Sequence, residues 1–202
     1  MISEKTTSIR TFDYEKYLQK AINYSQYKQE MAEDLVSNPD DKIKAYIKLN
    51  QTRMQRVEKT YTVSLSLRER LRTLKQKTWW LVLTENWCGD AAQNLPVLNA
   101  IAELSEGKIE MKLLYRDQNP ALMDAFLTNG TRSIPKLIQL DGDFKVTGTW
   151  GPRPAVAQEL VKQLRADPLT APHYGHELHL WYAKDRQQEV EAEISQLLLT
   201  GA

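Results

Sequence analysis

The sequence is poor in cysteine: Cys88 is the only one among 202 residues. A single cysteine excludes an intrachain disulfide framework and therefore the disulfide-stapled class of small secreted domains. Long apolar runs are also missing, since none approaches the ~20 residues that a membrane-spanning helix needs. The opening residues, MISEKTTS, lack the apolar core of a signal peptide. These absences together predict a cytoplasmic protein that does not cross a membrane.

The chain also lacks an excess of charge of either sign. It has 27 Lys and Arg against 26 Asp and Glu, which gives a formal net charge of +1. A nearly neutral chain is not drawn strongly to nucleic acid or to an anionic membrane surface. No glycine-rich phosphate loop is present either. We therefore predict neither nucleic acid nor membrane as a partner, and the sequence leaves the oligomeric state open.

One stretch stands out, residues 79–90, with the sequence WWLVLTENWCGD. Its first five residues are apolar without alternation, which indicates a strand buried on both faces. A polar turn and then a helical pattern follow, so Cys88 lies where a strand gives way to a helix. The unpaired N–H groups and the dipole of a first helical turn favour a thiolate over a thiol. Cys88 is therefore the first candidate for a catalytic residue, and the alternative is a small, half-buried residue that the fold retains without chemistry.

The rest of the chain predicts helices around a short series of strands. Asp13 is a candidate N-cap, and a capping box is indicated at residues 66–69. Pro96 is expected to kink the helix that it interrupts. The strands are predicted at 78–84, 108–116, 136–140 and 144–150. The helices are predicted at 13–36, 43–61, 67–75, 88–104, 121–127, 154–165 and 177–199.

All three histidines, His173, His176 and His179, lie close together near the last predicted helix. A three-residue spacing can place two of them on one helical face, where they would resemble metal ligands. No cysteine or carboxylate pattern accompanies them, so roles in a loop or at a helix end are favoured. We predict neither a metal site nor a bound cofactor.

Three segments now carry a family resemblance. Trp-Cys-Gly after a buried strand resembles the active-site segment of thioredoxins, and residues 131–138, TRSIPKLI, resemble their cis-proline segment. Residues 145–151, KVTGTWG, resemble the last edge strand and glycine loop of that fold. More narrowly, WCGDAAQ with a later WGPRP resembles a bacterial subfamily of thioredoxin-like proteins of uncertain activity.

The resemblance implies an α/β protein with a thioredoxin-like fold, a central mixed β-sheet flanked by helices. It covers roughly residues 61–165. We therefore expect an N-terminal helical hairpin in an extension over 1–60, a thioredoxin-like domain over 61–166, and a C-terminal loop and helix over 167–202.

The departures from the thioredoxin pattern concern the dithiol chemistry. Ala91 stands where the second cysteine would be, and Asp90 replaces the usual proline between the two cysteines. Val82 occupies the place of a buried aspartate that helps to move the resolving proton. Two parts of the internal disulfide cycle are thus absent together. A nearby carboxylate repels a thiolate, so Asp90 should also raise the pKa of Cys88 above that of a thioredoxin nucleophile.

The resemblance also implies which residues form the site. On the catalytic side these are Trp87, Cys88 and Asp90. On the substrate-binding side they are Ile134, Pro135, Trp150, Gly151 and Arg153. The guanidinium of Arg153 suits a substrate carboxylate or a pairing with Asp90.

Three functions are consistent with this site. The favoured one is monothiol redox chemistry, in which Cys88 exchanges with a mixed disulfide and an external thiol resolves the product. Its partner would be a protein or a small-molecule thiol or disulfide. The alternative is a binding module that recognises an extended polypeptide along the cis-proline groove without catalysis. A weaker third idea is a cluster ligated by one cysteine from each of two chains, as in single-cysteine glutaredoxins.

Overall fold

A computed structural model describes residues 12–200. Its helices are α1 Tyr14–Lys20, α2 Tyr24–Ser37, α3 Asp41–Thr60, α4 Leu65–Thr73, α5 Gly89–Leu104, α6 Pro120–Ala125, α7 Ala155–Ala166, α8 Tyr174–Asp185 and α9 Gln188–Leu197. Its strands are β1 Thr78–Thr84, β2 Ile109–Tyr115, β3 Lys136–Leu140 and β4 Val146–Trp150. A short 3-10 turn, Ala171–His173, precedes α8.

The four strands form one mixed sheet in the order β2-β1-β3-β4. β1 pairs with β2 in parallel, while β3 runs antiparallel to both β1 and β4. Parallel strands need a crossover, and α5 supplies it between β1 and β2. The element order β-α-β-α-β-β-α and the mixed sheet confirm the predicted thioredoxin-like fold.

The sheet is organised around β1, which the sequence singled out. Its residues from Trp80 to Thr84 are buried, as expected for a central strand covered on both faces. Helix α5 packs beside it, and the residues of α5 from Asp90 to Leu98 are buried. Because β1 ends where α5 begins, the sheet fixes the position of the Cys88 turn.

The N-terminal helix predicted at residues 13–36 is instead two helices, so that prediction is wrong. α1 ends at Lys20 and α2 begins at Tyr24, with Asn23 and Gln26 forming a capping box for α2. Between the helices, Ile22 exchanges two backbone hydrogen bonds with Leu113 of β2, at 3.0 and 2.8 Å. The break lets one residue satisfy part of the open edge of β2.

The C-terminal helix predicted at residues 177–199 is also two helices. Arg186 and Gln187 adopt positive φ angles of 53° and 66° between α8 and α9, which turns the chain. α8 also starts earlier than predicted, at Tyr174. The turn brings α9 against β4, where a Cβ at Gly148 would lie 2.5 Å from a methyl group of Leu197. A larger residue at position 148 would require the Leu197 side chain to shift.

Smaller corrections concern boundaries and one side chain. Helix α4 is capped by Ser64, whose hydroxyl accepts from the Leu67 amide, and the capping box at Ser66 is not formed. Strand β4 starts at Val146 rather than 144, because a turn closed by Asp141 occupies the preceding residues. Tyr46, predicted on the buried face of the second helix, is 56% exposed.

The apolar core of the described residues is one contiguous cluster from Leu18 to Leu198. It includes Ile47, Met54 and Val57 of α3, and Tyr182 of α8, beside the buried residues of the sheet. Within residues 12–200, no helix is both long enough and apolar enough to cross a membrane.

Candidate functional site

The turn from β1 into α5 places Cys88 at the N-cap of the helix. Its sulfur accepts a hydrogen bond from the amide of Ala91 at 3.4 Å, as an N-cap side chain does. The thiol in turn donates to the backbone carbonyl of Ile134 at 3.3 Å. The residue is only 7% exposed. The sulfur is thus held between the helix and the loop that precedes β3.

This environment disfavours the thiolate. Burial raises the pKa of the Cys88 thiol to about 12, and the Asp90 carboxylate adds to the rise, while the amides of Ala91 and Asp90 oppose it. The direction is the one expected from Asp90. Burial, the larger cause, was not predicted from the sequence. Because the thiolate is the nucleophile in disulfide exchange, the thiol in this structure is a poor one.

Asp90 does not act on Cys88 alone, because two other side chains hold it. Arg153 donates to both carboxylate oxygens through Nε, at 3.2 and 3.1 Å, and again through Nη2. The Tyr182 hydroxyl donates to Oδ1 at 2.8 Å. Burial alone would lower the pKa of Arg153, but Asp90 more than offsets it, so that pKa lies above its ordinary value. Of the two roles expected for Arg153, a substrate carboxylate or a pairing with Asp90, the structure has the pairing.

The second wall of the site is the loop before β3. The Ile134–Pro135 peptide bond is cis, and so is Gly151–Pro152. Gly151 lies against this wall with φ at 111°, and a Cβ there would be 2.1 Å from the carbonyl oxygen of Pro135. Only glycine fits such an approach at a positive φ. Ile134 and Pro135 are both buried.

Trp150 and Trp87 differ in exposure. Trp150 is buried, and its indole N–H donates to Glu193 of α9 at 2.6 Å. Trp87 is half-buried, with the Arg116 guanidinium 5.1 Å from its ring centroid. Arg116 also donates to the backbone carbonyl of the exposed Arg132 at 3.3 Å. We call Trp87, Arg116 and Arg132 the Trp87 platform. Of the three residues predicted on the catalytic side, Trp87 is the one that is not buried.

Several residues at the site were not predicted from the sequence. Helix α3 contributes Asn50, whose amide donates to the Asn86 carbonyl at 3.0 Å, and Arg53, which donates to Asn50 at 2.8 Å. Helix α8 contributes Tyr182 and His179. Asn50 carried a usable signal, because it is a polar residue on the apolar face of its helix. A sequence pattern gives no indication that α8 folds back onto α5.

His179 sits over the start of α5. Its ring is so close to Gly89 that a Cβ there would be 2.8 Å from Nε2. Its Nδ1 lies 3.1 Å from the amide nitrogen of Gln93. Burial and the guanidiniums of Arg53 and Arg56 lower the pKa of His179 to about 3, so the ring is neutral near pH 7. It therefore acts as a packed hydrogen-bonding group.

Two solved structures resemble this fold over nearly its whole length. A Pseudomonas aeruginosa protein of unknown function matches with a TM-score of 0.65 and 18% identity, over 95% of this chain and 100% of that one. An HIV epitope scaffold matches with a TM-score of 0.61 and 17% identity, over 94% and 99%. At such identities the likeness concerns the fold alone.

Sequence comparisons identify the family. Thioredoxin 1 of Nostoc sp. is 36% identical over 80 residues, which are 39% of this chain and 72% of that protein. Thioredoxin of Synechocystis sp. is 34% identical over the same shares. A family model described as thioredoxin matches residues 36–165, more than half of the chain. The chain belongs to the thioredoxin family.

Proposed function

We propose that this protein is a thioredoxin-fold binding module, which recognises an extended polypeptide at the cis-proline edge without redox turnover. The observation that carries the proposal is the state of Cys88. Its thiol is buried, bonded to the Ile134 carbonyl and has a pKa of about 12. The missing second cysteine, replaced by Ala91, is consistent with the same reading.

The Trp87 platform supports a binding role. Tryptophan and arginine are the residues that most often dominate the energy of protein interfaces. Here the Arg116 guanidinium lies over the Trp87 ring, 5.1 Å from its centroid, and donates to the carbonyl of Arg132 in the cis-proline loop. An aromatic ring already held in place loses little side-chain entropy when a partner covers it.

Monothiol exchange is the second candidate, and the placement of the sulfur favours it. Cys88 lies at a helix N-terminus opposite a cis proline, and the chain has thioredoxins as relatives. A Cys88 thiolate would attack one sulfur of a disulfide and release the other as a thiolate, and an external thiol would then resolve the mixed disulfide. This route requires Cys88 to become exposed and to lose its proton. Its partner would be a protein or small-molecule thiol or disulfide.

A displayed peptide library separates the two functions. Linear peptides without cysteine are selected on the wild-type protein under reducing conditions, and each is then measured against variants. Binding should fall about tenfold or more in Trp87→Ala, because an interface loses a central aromatic anchor. Cys88→Ser should bind as the wild type does. Trp79→Ala, at the far end of β1, is the matched control for loss of a tryptophan.

The opposite results would contradict the binding proposal. They are selection of no peptide, or of peptides whose binding is unaffected by Trp87→Ala. Iodoacetamide labelling gives an independent check on Cys88. The folded protein should react far more slowly at pH 7 than the same protein in urea. Rapid labelling of the folded state would favour monothiol exchange instead.

A further inference from the structure

A second accessible feature lies on the other side of the α5 N-terminus. It is a cleft of about 540 Å³ between α3 and α8, which we call the α3–α8 cleft. Its lining combines charged or polar groups with apolar ones. The lining includes Tyr46, Leu49, Arg53, Trp87, Asp90, Arg153, Leu178 and His179. Cys88 is not among the lining residues.

The cleft has an excess of positive charge. Arg53 and Arg153 both line it, and Asp90 is the one carboxylate among its lining residues within 12–200. Asp90 is already bound by Arg153 and Tyr182. Arg53 forms no ion pair within the described residues, and its hydrogen bond goes to the neutral amide of Asn50 at 2.8 Å. The half-buried guanidinium of Arg53 therefore has no anionic group in direct contact within the described residues, although the charge of Asp90 acts on it from a longer distance.

His179 adds a second donor in the cleft wall. Arg56 donates to Oε1 of Gln93 at 2.8 Å, which turns the Gln93 amide nitrogen toward His179 Nδ1. Nδ1 then accepts, and a neutral imidazole carries its proton on Nε2. That Nε2 lies against Gly89, and Gly89 itself lines the cleft. Arg53 lies on the same side, since its Nη1 would be 3.2 Å from a Cβ at Gly89.

The remaining lining is apolar or aromatic. Tyr46 and Leu49 of α3 line the cleft and are 56% and 46% exposed, so their side chains are available for contact. Leu178 and the half-buried Trp87 line it as well. The volume is well above that of a simple inorganic anion and lies in the range of small-molecule sites. The volume of the cleft, its positive charge and its apolar rim together fit an amphipathic anion as ligand.

We propose that the α3–α8 cleft binds a carboxylate attached to an apolar group, with the carboxylate on Arg53 and His179 and the apolar group against Tyr46, Leu49 and Trp87. The planar fork of a guanidinium matches a carboxylate in two parallel hydrogen bonds. The shared chemistry fits a free organic acid and the C-terminal carboxylate of a short peptide. The inference does not depend on Cys88 chemistry or on a polypeptide at the cis-proline edge.

Calorimetric titration of the full chain with phenylbutyrate, at low ionic strength, tests the inference. Phenylbutyramide has the same shape without the charge and should bind at least about tenfold more weakly, since a charge-assisted pair is lost. Tripeptides with a C-terminal phenylalanine, as free acid and as amide, form the second arm. Tighter binding of the peptide acid than of phenylbutyrate indicates a peptide C-terminus as the ligand, and the reverse indicates a free acid.

Variants locate the binding site. Arg53→Gln should weaken phenylbutyrate binding by about tenfold or more, whereas Lys59→Gln removes a charge from the same helix outside the cleft and should change nothing. Leu49→Glu adds a negative charge at an exposed rim position and should abolish binding without disturbing the core. Equal affinity for acid and amide, no binding by either acid, or full binding by Leu49→Glu would overturn the inference.

Discussion

The first turn of α5 separates two regions with opposite character. On the Cys88 side the polar groups are paired: the thiol donates to Ile134, and Asp90 holds Arg153 and Tyr182. On the side of the α3–α8 cleft, Arg53 has a neutral acceptor and no ion pair within the described residues. A guanidinium that lines a cavity without an ion pair can still bind an anion, which is the basis of the ligand proposed for the cleft.

The difference follows from which elements each region uses. The Cys88 side is made by the thioredoxin sheet and the loops around it, and Tyr182 of α8 reaches Asp90 there. The cleft lies between α3 and α8, which are outside residues 61–165, and Trp87, Asp90 and Arg153 complete its lining. The accessible polar groups near the sulfur therefore lie at the Trp87 platform and in the cleft.

The largest effect on the Cys88 side is expected from a substitution of Asp90. Asp90→Asn removes the anion from a buried pair and leaves the Arg153 guanidinium uncompensated, so the free energy of unfolding should fall by about 3–5 kcal/mol in urea denaturation. The side chains of the pair are only 15% and 9% exposed, which limits solvation of the lone cation. Iodoacetamide labelling of Cys88 should accelerate, because the loop that carries Arg153 loses its anchor.

The control is an ion pair at the surface. Glu159→Gln breaks the contact of Glu159 with Lys162 at 3.5 Å, where both side chains are more than half exposed. An exposed pair contributes about 0–1 kcal/mol, so little change is expected. If Asp90→Asn cost no more than Glu159→Gln, the Cys88 side would not be held closed by this pair.

A smaller effect is expected at Gly151, which closes the other wall. Gly151→Ala would put a Cβ 2.1 Å from the Pro135 carbonyl oxygen at a φ of 111°. The strain and the shift of the loop should lower the free energy of unfolding by at least about 2 kcal/mol. Gly175→Ala is the matched control, because a Cβ there meets nothing within 4 Å. Equal stability of the two variants would show that the loop yields freely.

Most of the fold was predictable because β1, the Cys88 turn and the Ile134–Pro135 segment are local patterns. The apolar run of β1 and the order of the strands lead directly to the sheet. The helices outside the core were predicted less well. Periodicity does not reveal that Ile22 interrupts a helix to pair with β2, or that Arg186 and Gln187 turn the chain. Both breaks depend on tertiary contacts, which override helix propensity.

The sequence predicted which residues form the candidate site, but it did not predict how accessible those residues are. The sequence placed Cys88 next to Asp90 and suggested the pairing of Asp90 with Arg153. It gave no indication that Tyr182 would reach Asp90 from 92 residues away. The burial that sets the pKa of Cys88 comes from such distant packing. A motif therefore identifies which residues meet, while the surrounding helices decide whether a substrate can reach them.

The most specific effect is a pH dependence above neutrality. The thiol of an unfolded chain titrates near pH ~8.5, whereas burial and Asp90 raise the pKa of Cys88 to about 12 in the folded protein. Between these values the unfolded state releases a proton that the folded state keeps, so stability must fall as pH rises. Relative to Cys88→Ala, the wild type should lose up to about 1.4 kcal/mol of unfolding free energy per pH unit. Both proteins contain the same tyrosines and lysines, so the titration of those groups drops out of the difference between the wild type and Cys88→Ala.

Parallel curves of unfolding free energy against pH for the two proteins would mean that Cys88 ionises as readily in the folded state as in the unfolded state. The contrast between a closed Cys88 side and an open cleft would then fail.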